Sequence, residues 1–335
     1  MKKLFVSGVY RSGTTFLTRI LNNHSKLWVT YDSVHFFRFS YNKFNPINIR
    51  SNYIELLKES KKRLFTRWKM NLNIDSIIHN LDLLNKVKYS DVYNELMVSL
   101  GTQEINELQG WGEKTVLSWT KHEDFIKMFP NGKVIHILRD PRDILLSFKN
   151  VTTEPFPGYL NTAFVTLDSF NSCIKHMTSI GNQNFKVIRY EDLISNPKNS
   201  IIDICKFIGI EFSNEMLNVS KFKDKNGNWW NGDSATGKGM KEFSNSRINV
   251  WQNQLNDEEI YFVELINKTS MPQFKYELSG RDITPAKLKD LKELLENNLL
   301  KDKYINWLKS GRGVEGFATM PITHCQSTEV PLFTL

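Results

Sequence analysis

Hydrophobic positions near the start of the chain change from one spacing to another. An apolar run at residues 4–6 ends at Gly8, and apolar side chains then recur at helical spacing between residues 16 and 21. A short apolar run, a glycine turn and a helical period are typical of a strand, a tight loop and a helix. The chain therefore opens with a predicted βα unit.

The same succession returns further along the chain. Short apolar runs at residues 134–138 and 186–190 predict two more strands, and each is followed by a segment with helical character. Strands that alternate with helices pair in parallel, because each helix carries the chain back to the starting edge of the sheet. The pattern predicts an α/β fold with a central parallel sheet flanked by helices.

Helical spacing also runs through residues 40–110, which we interpret as an insertion between the first two predicted strands. The lysines and arginines between Lys58 and Lys69 allow two interpretations. They form either a solvated helix face or a wall that attracts an anionic acceptor, and runs of charge usually belong to a surface.

A further helix is predicted near the carboxyl end. Thr284-Pro285 is a helix start signal, and leucines recur on one side of the segment that follows. Residues 311–335 have no regular pattern. We therefore predict a main domain over residues 1–275 and a C-terminal helical extension with an irregular tail over residues 276–335.

Composition narrows the class of protein. The chain has 335 residues and 40% hydrophobic positions, which excludes a disordered or fibrous protein. It contains no apolar stretch of the roughly 18 residues that a membrane span needs. Arg11 interrupts the apolar start before it reaches the length of a signal-peptide core. The three cysteines lie far apart and are predicted to be reduced thiols, so we expect a cytoplasmic location.

The net charge widens the choice of partners rather than narrowing it. Lysine and arginine outnumber aspartate and glutamate by 44 to 36, which gives a net charge of +8. A basic chain can bind nucleic acid, an anionic membrane surface or an anionic small ligand. Charge alone does not choose among these three.

The most informative stretch is the loop after the first predicted strand, Gly8-Val9-Tyr10-Arg11-Ser12-Gly13-Thr14-Thr15. Its glycines allow main-chain N–H groups to converge at the start of a helix, an arrangement that holds a phosphate. The spacing matches the ATP-type P-loop, except that Thr14 stands in place of the lysine that contacts the β- and γ-phosphates. Kinase chemistry is therefore disfavoured, whereas Arg11 and two hydroxyl groups suit a single 5′-phosphate. A plain turn with an exposed arginine is the alternative.

A second basic site follows the predicted strand at residues 134–138. The segment Arg139-Asp140-Pro141-Arg142-Asp143 begins where that strand ends. Ligands of parallel sheets bind beyond the carboxyl ends of the strands, so Arg139 is predicted to face the same crevice as the loop. An ion pair between Arg139 and Asp140 that caps the next helix is the structural alternative, and the two interpretations are compatible.

These motifs belong to a set of four that occur in a fixed order within residues 4–210. The other two are Gly112-Glu113-Lys114-Thr115 and Arg189-Tyr190-Glu191-Asp192-Leu193. In this combination the chain resembles the sulfotransferases that use 3′-phosphoadenosine-5′-phosphosulfate (PAPS), and within them the bacterial branch related to protein-tyrosine sulfotransferases. The resemblance implies a P-loop-type three-layer fold with PAPS as co-substrate and adenosine 3′,5′-bisphosphate (PAP) as product. No metal is expected.

The resemblance also implies roles for the matching residues. Arg139 and Ser147 would bind the 3′-phosphate that distinguishes PAPS from ATP. Lys114 would approach the transferring sulfuryl group, and Tyr190 would line the nucleotide pocket. Lys238 is a candidate for closing over the 3′-phosphate. The 5′-phosphosulfate would be held by the loop residues Arg11, Ser12, Gly13, Thr14, Thr15 and Phe16.

The general base is placed by the same resemblance. In tyrosine-sulfating relatives a glutamate follows the loop arginine at a fixed distance, and the same distance from Arg11 reaches Asp32. His35 is the competing candidate, because an unperturbed imidazole titrates near neutrality. A solvated loop carboxylate is the structural alternative for Asp32. His136, inside an apolar run, is predicted to be a core residue instead.

The predicted function is transfer of a sulfuryl group to a hydroxyl or amine of a small-molecule, carbohydrate or lipid acceptor, with no nucleic-acid partner. Two other functions stay open at this point. One is a P-loop kinase, which the missing lysine disfavours. The other is a non-catalytic binder of nucleic acid or anionic surfaces, which the net charge alone would favour.

Overall fold

The computed structural model describes residues 1–222, 242–297 and 300–311. Its strands are β1 (Lys2–Gly8), β2 (Leu27–Val29), β3 (Gly110–Lys114), β4 (Lys133–Leu138) and β5 (Phe185–Arg189). They form one sheet in the order β2-β3-β1-β4-β5, and every neighbouring pair is parallel. The predicted central parallel sheet is therefore confirmed.

Helices connect the strands and cover the sheet. They are α1 (Thr14–Asn22), α2 (Phe36–Phe39), α3 (Arg50–Trp68), α4 (Ile74–Asp82), α5 (Tyr89–Gly101), α6 (His122–Met128), α7 (Pro141–Lys149), α8 (Thr162–Ser179), α9 (Tyr190–Ser195), α10 (Pro197–Ile208), α11 (Trp251–Gln254), α12 (Asp257–Asn267), α13 (Pro285–Glu296) and α14 (Lys301–Ser310). No helix in the described ranges is long and apolar enough to cross a membrane.

The central strand β1 separates two hydrophobic clusters because successive side chains of a strand point to opposite faces. Leu4 and Val6 pack with α1, α9 and α10, whereas Phe5 packs with the helices between β2 and β3. Both faces of the strand are covered, which explains its continuous apolar run.

Strands β2 and β3 are the part of the sheet that the hydrophobic pattern did not predict. β2 has three residues, too few for an apolar period to show. β3 contains two glycines, Glu113 and Lys114, and all five of its residues are buried. The third predicted strand is as long as expected but begins and ends one residue earlier, because Tyr190 is the first residue of α9 and not the last of β5.

The helical insertion predicted over residues 40–110 is formed by α3, α4 and α5. Their apolar faces join the cluster around Phe5 and Trp111, which covers one side of the sheet. Most cations of the basic run on α3 are exposed, as a solvated helix face requires, but Arg63 is buried. Arg63 therefore belongs to the interior, where its guanidinium donates to the carbonyl oxygen of Ser33 at 2.8 Å.

The predicted C-terminal helix is present as α13, and the hydroxyl of Thr284 caps it by accepting the N–H of Lys287 at 3.3 Å. Leu291 and Tyr304 are buried against α7, α8 and α12. The division of the chain at residue 275 stays a prediction, and residues 312–335 of the predicted tail lie outside the described residues.

The free edge of β2 is covered by a side chain. Asn22, the last residue of α1, donates its amide N–H to the carbonyl oxygen of Val29 at 2.9 Å. Its amide oxygen accepts the N–H of Val29 at 2.7 Å. The Asn22 side chain therefore pairs with Val29 as a neighbouring strand would.

Candidate active site

The loop between β1 and α1 has the geometry of an anion site. Ser12 folds it back, since both the N–H and the hydroxyl of Ser12 donate to the carbonyl oxygen of Val9, at 3.1 Å and 2.6 Å. Gly13 then starts α1 with a φ of 101°. No described side chain caps this helix start and its first turn contains no acidic residue, so the positive end of the helix is available to a phosphate.

Tyr190 packs directly against the loop. A Cβ atom on Gly13 would lie 2.6 Å from Cδ2 of Tyr190, so a glycine is required at this close approach. The guanidinium of Arg139 lies 4.7 Å from the centre of the same ring. Tyr190 thus contacts both the loop and Arg139, and its role in a nucleotide pocket stays a prediction.

Arg139 and Arg11 are brought together with Ser147. Arg139 donates through Nη1 to the carbonyl oxygen of Arg11 at 3.0 Å and through Nη2 to that of Arg247 at 2.6 Å. Its buried Nε has no hydrogen-bond partner within the described part of the chain. Arg11 donates through Nε to the hydroxyl of Ser147 at 2.9 Å. We call Arg11, Arg139 and Ser147 the arginine group.

The carboxylate of Asp143 ties another segment to the arginine group. Burial raises the pKa of Asp143 to about 6, and Arg139, 4.0 Å away, opposes that shift. Asp143 accepts the N–H groups of Asn249 and Trp251, at 2.8 Å and 3.0 Å. The segment that contains Arg247 is therefore held over the arginine group. This contact could not be predicted from the sequence, because no spacing relates the segment to residue 139.

The ion pair between Arg139 and Asp140, the structural alternative for this segment, is not formed. Asp140 caps α7, as expected, by accepting the N–H of Arg142 at 2.9 Å. Its charge partner is also Arg142, whose Nη2 lies 2.7 Å from the carboxylate. Because Arg142 satisfies Asp140, the guanidinium of Arg139 is directed to the loop instead.

A second group forms on the other side of the loop, at Lys114, Asp32 and Thr15, and we call it the lysine group. Lys114 ends β3 and donates through Nζ to the hydroxyl of Thr15 at 3.2 Å and to the carboxylate of Asp32. Asp32 also accepts the N–H of Val116 at 3.1 Å. The side chain of Lys114 is 3% exposed and that of Asp32 is 23% exposed, so the carboxylate has the open side.

His35, the other candidate base, is enclosed. Burial lowers the pKa of His35 to about 3, although the charge of Asp32 opposes the shift. The ring is therefore neutral at neutral pH, and its Nε2 has no partner among the residues that the structure describes. Asp32 and His35 both have positive φ, 56° and 48°, and neither is a glycine. The turn between them is held by its surroundings.

His136 is a core residue, as predicted. It is 0% exposed, and its Nε2 lies 2.8 Å from the hydroxyl of Ser169. His122 packs on it, with ring centres 5.5 Å apart, and His122 Nδ1 lies 3.1 Å from Nδ1 of His176. Burial lowers the pKa of all three histidines, which makes them neutral parts of the core.

A cavity of about 680 Å³ lies along the free edge of β2 and reaches the turn that carries Asp32. Tyr31 and Ser33, the chain neighbours of Asp32, line it together with Trp28 and Trp68. The aromatic walls offer flat apolar surface to a ligand.

Comparison with known proteins places this site in a family. The model of the sulfotransferase family matches residues 3–214. The chain belongs to the sulfotransferase family. This match includes every described residue of the arginine and lysine groups. Mouse sulfotransferase 2A2 is 30% identical over an alignment of 122 residues, which covers 32% of this chain and 43% of the mouse protein. The chain thus matches less than half the length of that relative.

Two solved structures share the fold of this chain. A sulfotransferase domain from the curacin biosynthetic pathway is 21% identical, with a TM-score of 0.53, over 83% of this chain and 98% of that chain. A sulfotransferase domain from the Synechococcus PCC 7002 olefin synthase is 19% identical, with a TM-score of 0.52, over 83% and 96%. The expected three-layer fold is therefore confirmed.

The predicted site residues divide into three sets. The first set lies around the loop and its arginine group, and the second is the lysine group with the adjacent His35. The third set is Lys238, which lies outside the described residues. The first set contains Arg11, Ser12, Gly13, Thr14, Phe16, Arg139, Ser147 and Tyr190.

Proposed function

We propose that this sulfotransferase moves the sulfuryl group of PAPS to a hydroxyl or amine of a small-molecule, carbohydrate or lipid acceptor. The observation that carries the proposal is the division of positive charge around one loop, with the arginine group on one side and Lys114 on the other. PAPS has two anionic ends, a 3′-phosphate and a 5′-phosphosulfate. Two separate basic sites at one loop suit such a ligand.

The arginine group fits the 3′-phosphate. Arg139 is mostly buried and retains a free Nε–H within the described structure, and the hydroxyl of Ser147 adjoins Arg11. Hydrogen bonds from guanidinium groups to phosphate are charge-assisted, and a planar guanidinium binds two oxygens at once. Tyr190 contributes a flat face beside Arg139. An adenosine 5′-phosphate without the 3′-phosphate would leave these donors unused.

The lysine group fits the reacting end. When bound, PAPS supplies a sulfuryl group whose bond to the 5′-phosphate breaks as the acceptor atom bonds to sulfur, which leaves PAP. The N–H groups at the start of α1 and the ammonium of Lys114 stabilise the charge that develops on the 5′-phosphate. Lys114 thus supplies, from β3, a cation near the loop position where ATP-type loops carry lysine and this chain has Thr14.

Asp32 is the proposed base. It accepts the proton of the acceptor hydroxyl or amine, and its carboxylate is the more exposed partner of the ion pair with Lys114. His35 is fully enclosed, which keeps its ring away from an acceptor. The cavity beside Tyr31 and Ser33 is where we place the remainder of the acceptor, since it opens next to Asp32.

Ligand-dependent thermal stability tests the nucleotide site. We expect PAP to raise the melting temperature much more than AMP or ATP with magnesium, because only PAP fills both basic sites. PAP and AMP differ by the 3′-phosphate alone, so the pair isolates the arginine group. Equal stabilisation by PAP and by ATP with magnesium would favour a kinase and contradict the proposal.

The acceptor is identified by transfer of a labelled group. Purified protein is incubated with ³⁵S-labelled PAPS and fractionated extracts of the source organism, and labelled products are analysed by mass spectrometry. A Trp68→Ala variant is run in parallel, because Trp68 lines the cavity without belonging to either basic group. We expect less labelled product from this variant with unchanged stabilisation by PAP. Equal labelling by both proteins would place the acceptor elsewhere.

A further inference from the structure

Glu113 and Lys114 are neighbours on β3, and their side chains leave the strand on opposite faces. Lys114 faces the loop at Thr15. Glu113 enters the interior on the other face, is 0% exposed, and meets Tyr93 of the aromatic cluster. A buried carboxylate is costly unless hydrogen-bond donors satisfy it, so the partners of Glu113 carry information about its role.

Those partners connect Glu113 to the turn that carries the candidate bases. The carboxylate accepts the N–H of Phe36, the first residue of α2, at 3.1 Å. The main-chain N–H of His35 is a further donor. Tyr93 of α5 donates its hydroxyl to the other carboxylate oxygen. Glu113 therefore joins the end of the turn to β3 and to the insertion helices.

The turn depends on contacts of this kind. Asp32 and His35 have left-handed backbone conformations, which cost free energy for residues other than glycine unless the surroundings fix them. The first half of the turn is fixed by two bonds, from the N–H of Asp32 to the oxygen of Lys114 at 3.2 Å and from Arg63 to the oxygen of Ser33 at 2.8 Å. Glu113 fixes the second half.

We propose that Glu113, oriented by Tyr93, is a positioning residue for sulfuryl transfer, because its carboxylate fixes the turn that brings Asp32 to Lys114. The catalytic part of this inference rests on the proposed function. Without the carboxylate, the N–H of Phe36 loses its acceptor and the second half of the turn is released. The arginine group lies on the other side of the loop and keeps its contacts.

The titration of Glu113 makes the connection between Glu113 and the turn at residues 32–36 measurable. Burial raises the pKa of Glu113 to about 7, against the opposing effects of Tyr93, the N–H of Phe36 and Arg63. Burial lowers the pKa of His35 to about 3 and raises that of Tyr93 well above its ordinary value. Arg63 also faces Glu113, and the charged groups that face His35 are Asp32, Arg63, Arg38 and Lys114. A change in the turn near neutral pH therefore belongs to Glu113.

Hydrogen exchange with mass spectrometry measures the turn directly and needs neither PAPS nor an acceptor. We expect peptides covering residues 32–39 of the wild type to become better protected as pH rises from about 6 to 8, after correction for the intrinsic exchange rate. In Glu113→Gln this pH-dependent gain of protection is absent, and exchange at pH 8 is faster than in the wild type, because a neutral amide replaces the charged carboxylate. Wild-type exchange in the variant, with its pH step intact, would overturn the proposal.

Two further variants complete the test. Glu259→Gln is the matched control, because Glu259 is also 0% exposed and also accepts a tyrosine hydroxyl, from Tyr159, but lies on α12. We expect it to leave exchange in residues 32–39 unchanged. Tyr93→Phe is the milder change should Glu113→Gln fail to fold. It removes one donor that lowers the pKa of Glu113, so the protection step moves to higher pH. An unmoved step would contradict the role of Tyr93 and Glu113.

Catalysis provides an independent readout. We expect Glu113→Gln to lower kcat by about 10- to 100-fold through misplacement of Asp32 and to leave the Kd of PAP within about twofold, since the arginine group is intact. An unchanged kcat would overturn the catalytic part of the inference. If the wild type fails to bind PAP, the proposed function is wrong, while the exchange experiment still decides whether Glu113 fixes the turn.

Discussion

Arg139 donates a hydrogen bond of 3.0 Å from its guanidinium to the main-chain oxygen of Arg11. Residues that lie 128 positions apart in the chain are therefore in direct contact. The contact results from the parallel sheet, because β1 and β4 are neighbours and their carboxyl ends meet at one edge. A ligand bound at that edge can touch both residues.

Replacement of Arg139 tests the assignment of the 3′-phosphate. We expect Arg139→Ala to weaken PAP binding by about 10- to 100-fold, since a hydrogen bond to a charged group is worth roughly twice a neutral one, about 1.5–3 kcal/mol. Binding of AMP, measured by the same calorimetric titration, changes little. Arg50→Ala, which removes an exposed arginine paired with Asp82, serves as the control. Equal losses for PAP and AMP would assign Arg139 to another part of the ligand.

Replacement of Asp32 tests the base. We expect Asp32→Asn to reduce kcat by about 100- to 10,000-fold, the range for loss of a general base, with little change in PAP affinity. Asp32→Glu keeps a carboxylate and is expected to retain part of the activity. Release of PAP from PAPS in the presence of acceptor is the measurement. If His35→Gln loses the activity and Asp32→Asn keeps it, the roles of these two residues are reversed.

Gly13, which lies in the loop, and Gly181, which lies outside it, form a matched pair for measuring how the close approach of Tyr190 affects stability. Both have positive φ, but a Cβ on Gly181 meets nothing within 4 Å, whereas one on Gly13 meets Tyr190 at 2.6 Å. We expect Gly181→Ala to lower the free energy of unfolding by about 1 kcal/mol, the cost of the backbone conformation alone. Gly13→Ala adds a clash and costs roughly 2–5 kcal/mol. Urea unfolding measures both, and equal losses would exclude the close approach of Tyr190.

The buried histidines predict sensitivity to acid. Burial lowers the pKa of His136 to about 3 in the folded protein, from an ordinary value of 6.5. Below pH 6.5 the unfolded chain therefore binds the proton first, and stability falls as pH falls. At pH 5 one such histidine costs about 2 kcal/mol.

A difference between variants isolates this effect from Asp143 and Glu113, whose raised pKa values act in the opposite direction. We expect His136→Gln to lose less stability than the wild type between pH 7 and pH 5, by about 2 kcal/mol, in chemical unfolding experiments. His79→Gln, at an exposed site on α4, keeps the wild-type pH dependence. Parallel curves for the wild type and His136→Gln would show that His136 is already charged in the folded state.

The sequence predicted the structure best at β1, at the loop that follows it, and at the helix after that loop. The hydrophobic pattern predicted β1, β4 and α1, because each has an uninterrupted apolar run or a clear helical period. The spacing of the glycines predicted the loop residues. β3 could not be predicted, since Glu113 and Lys114 are polar residues buried by contacts with distant parts of the chain. Burial of a polar side chain depends on partners that a local pattern does not contain.

The candidate site could also be predicted only in part. The position of Arg139 beside the loop was predicted from neighbouring strand ends, and Ser147 was implied by the family resemblance alone. The separation of Arg11 from Lys114 was not predicted, because both were assigned to the reacting end of PAPS. The contact of Arg247, whose main-chain oxygen accepts a hydrogen bond from Arg139, could also be identified only from the folded structure. Side-chain direction within a loop is set by packing, and Arg11 is drawn to Ser147 on α7.

The side-chain amide of Asn22 protects β2 at the edge of the sheet. An unprotected edge strand offers its main-chain N–H and C=O groups to any extended peptide, including the same strand of another molecule, and such pairing is a common route to aggregation. Asn22 occupies both groups of Val29, so a second molecule finds no continuous ladder to extend. The cavity beside β2 can thus open to solvent without exposing an unpaired strand edge at Val29.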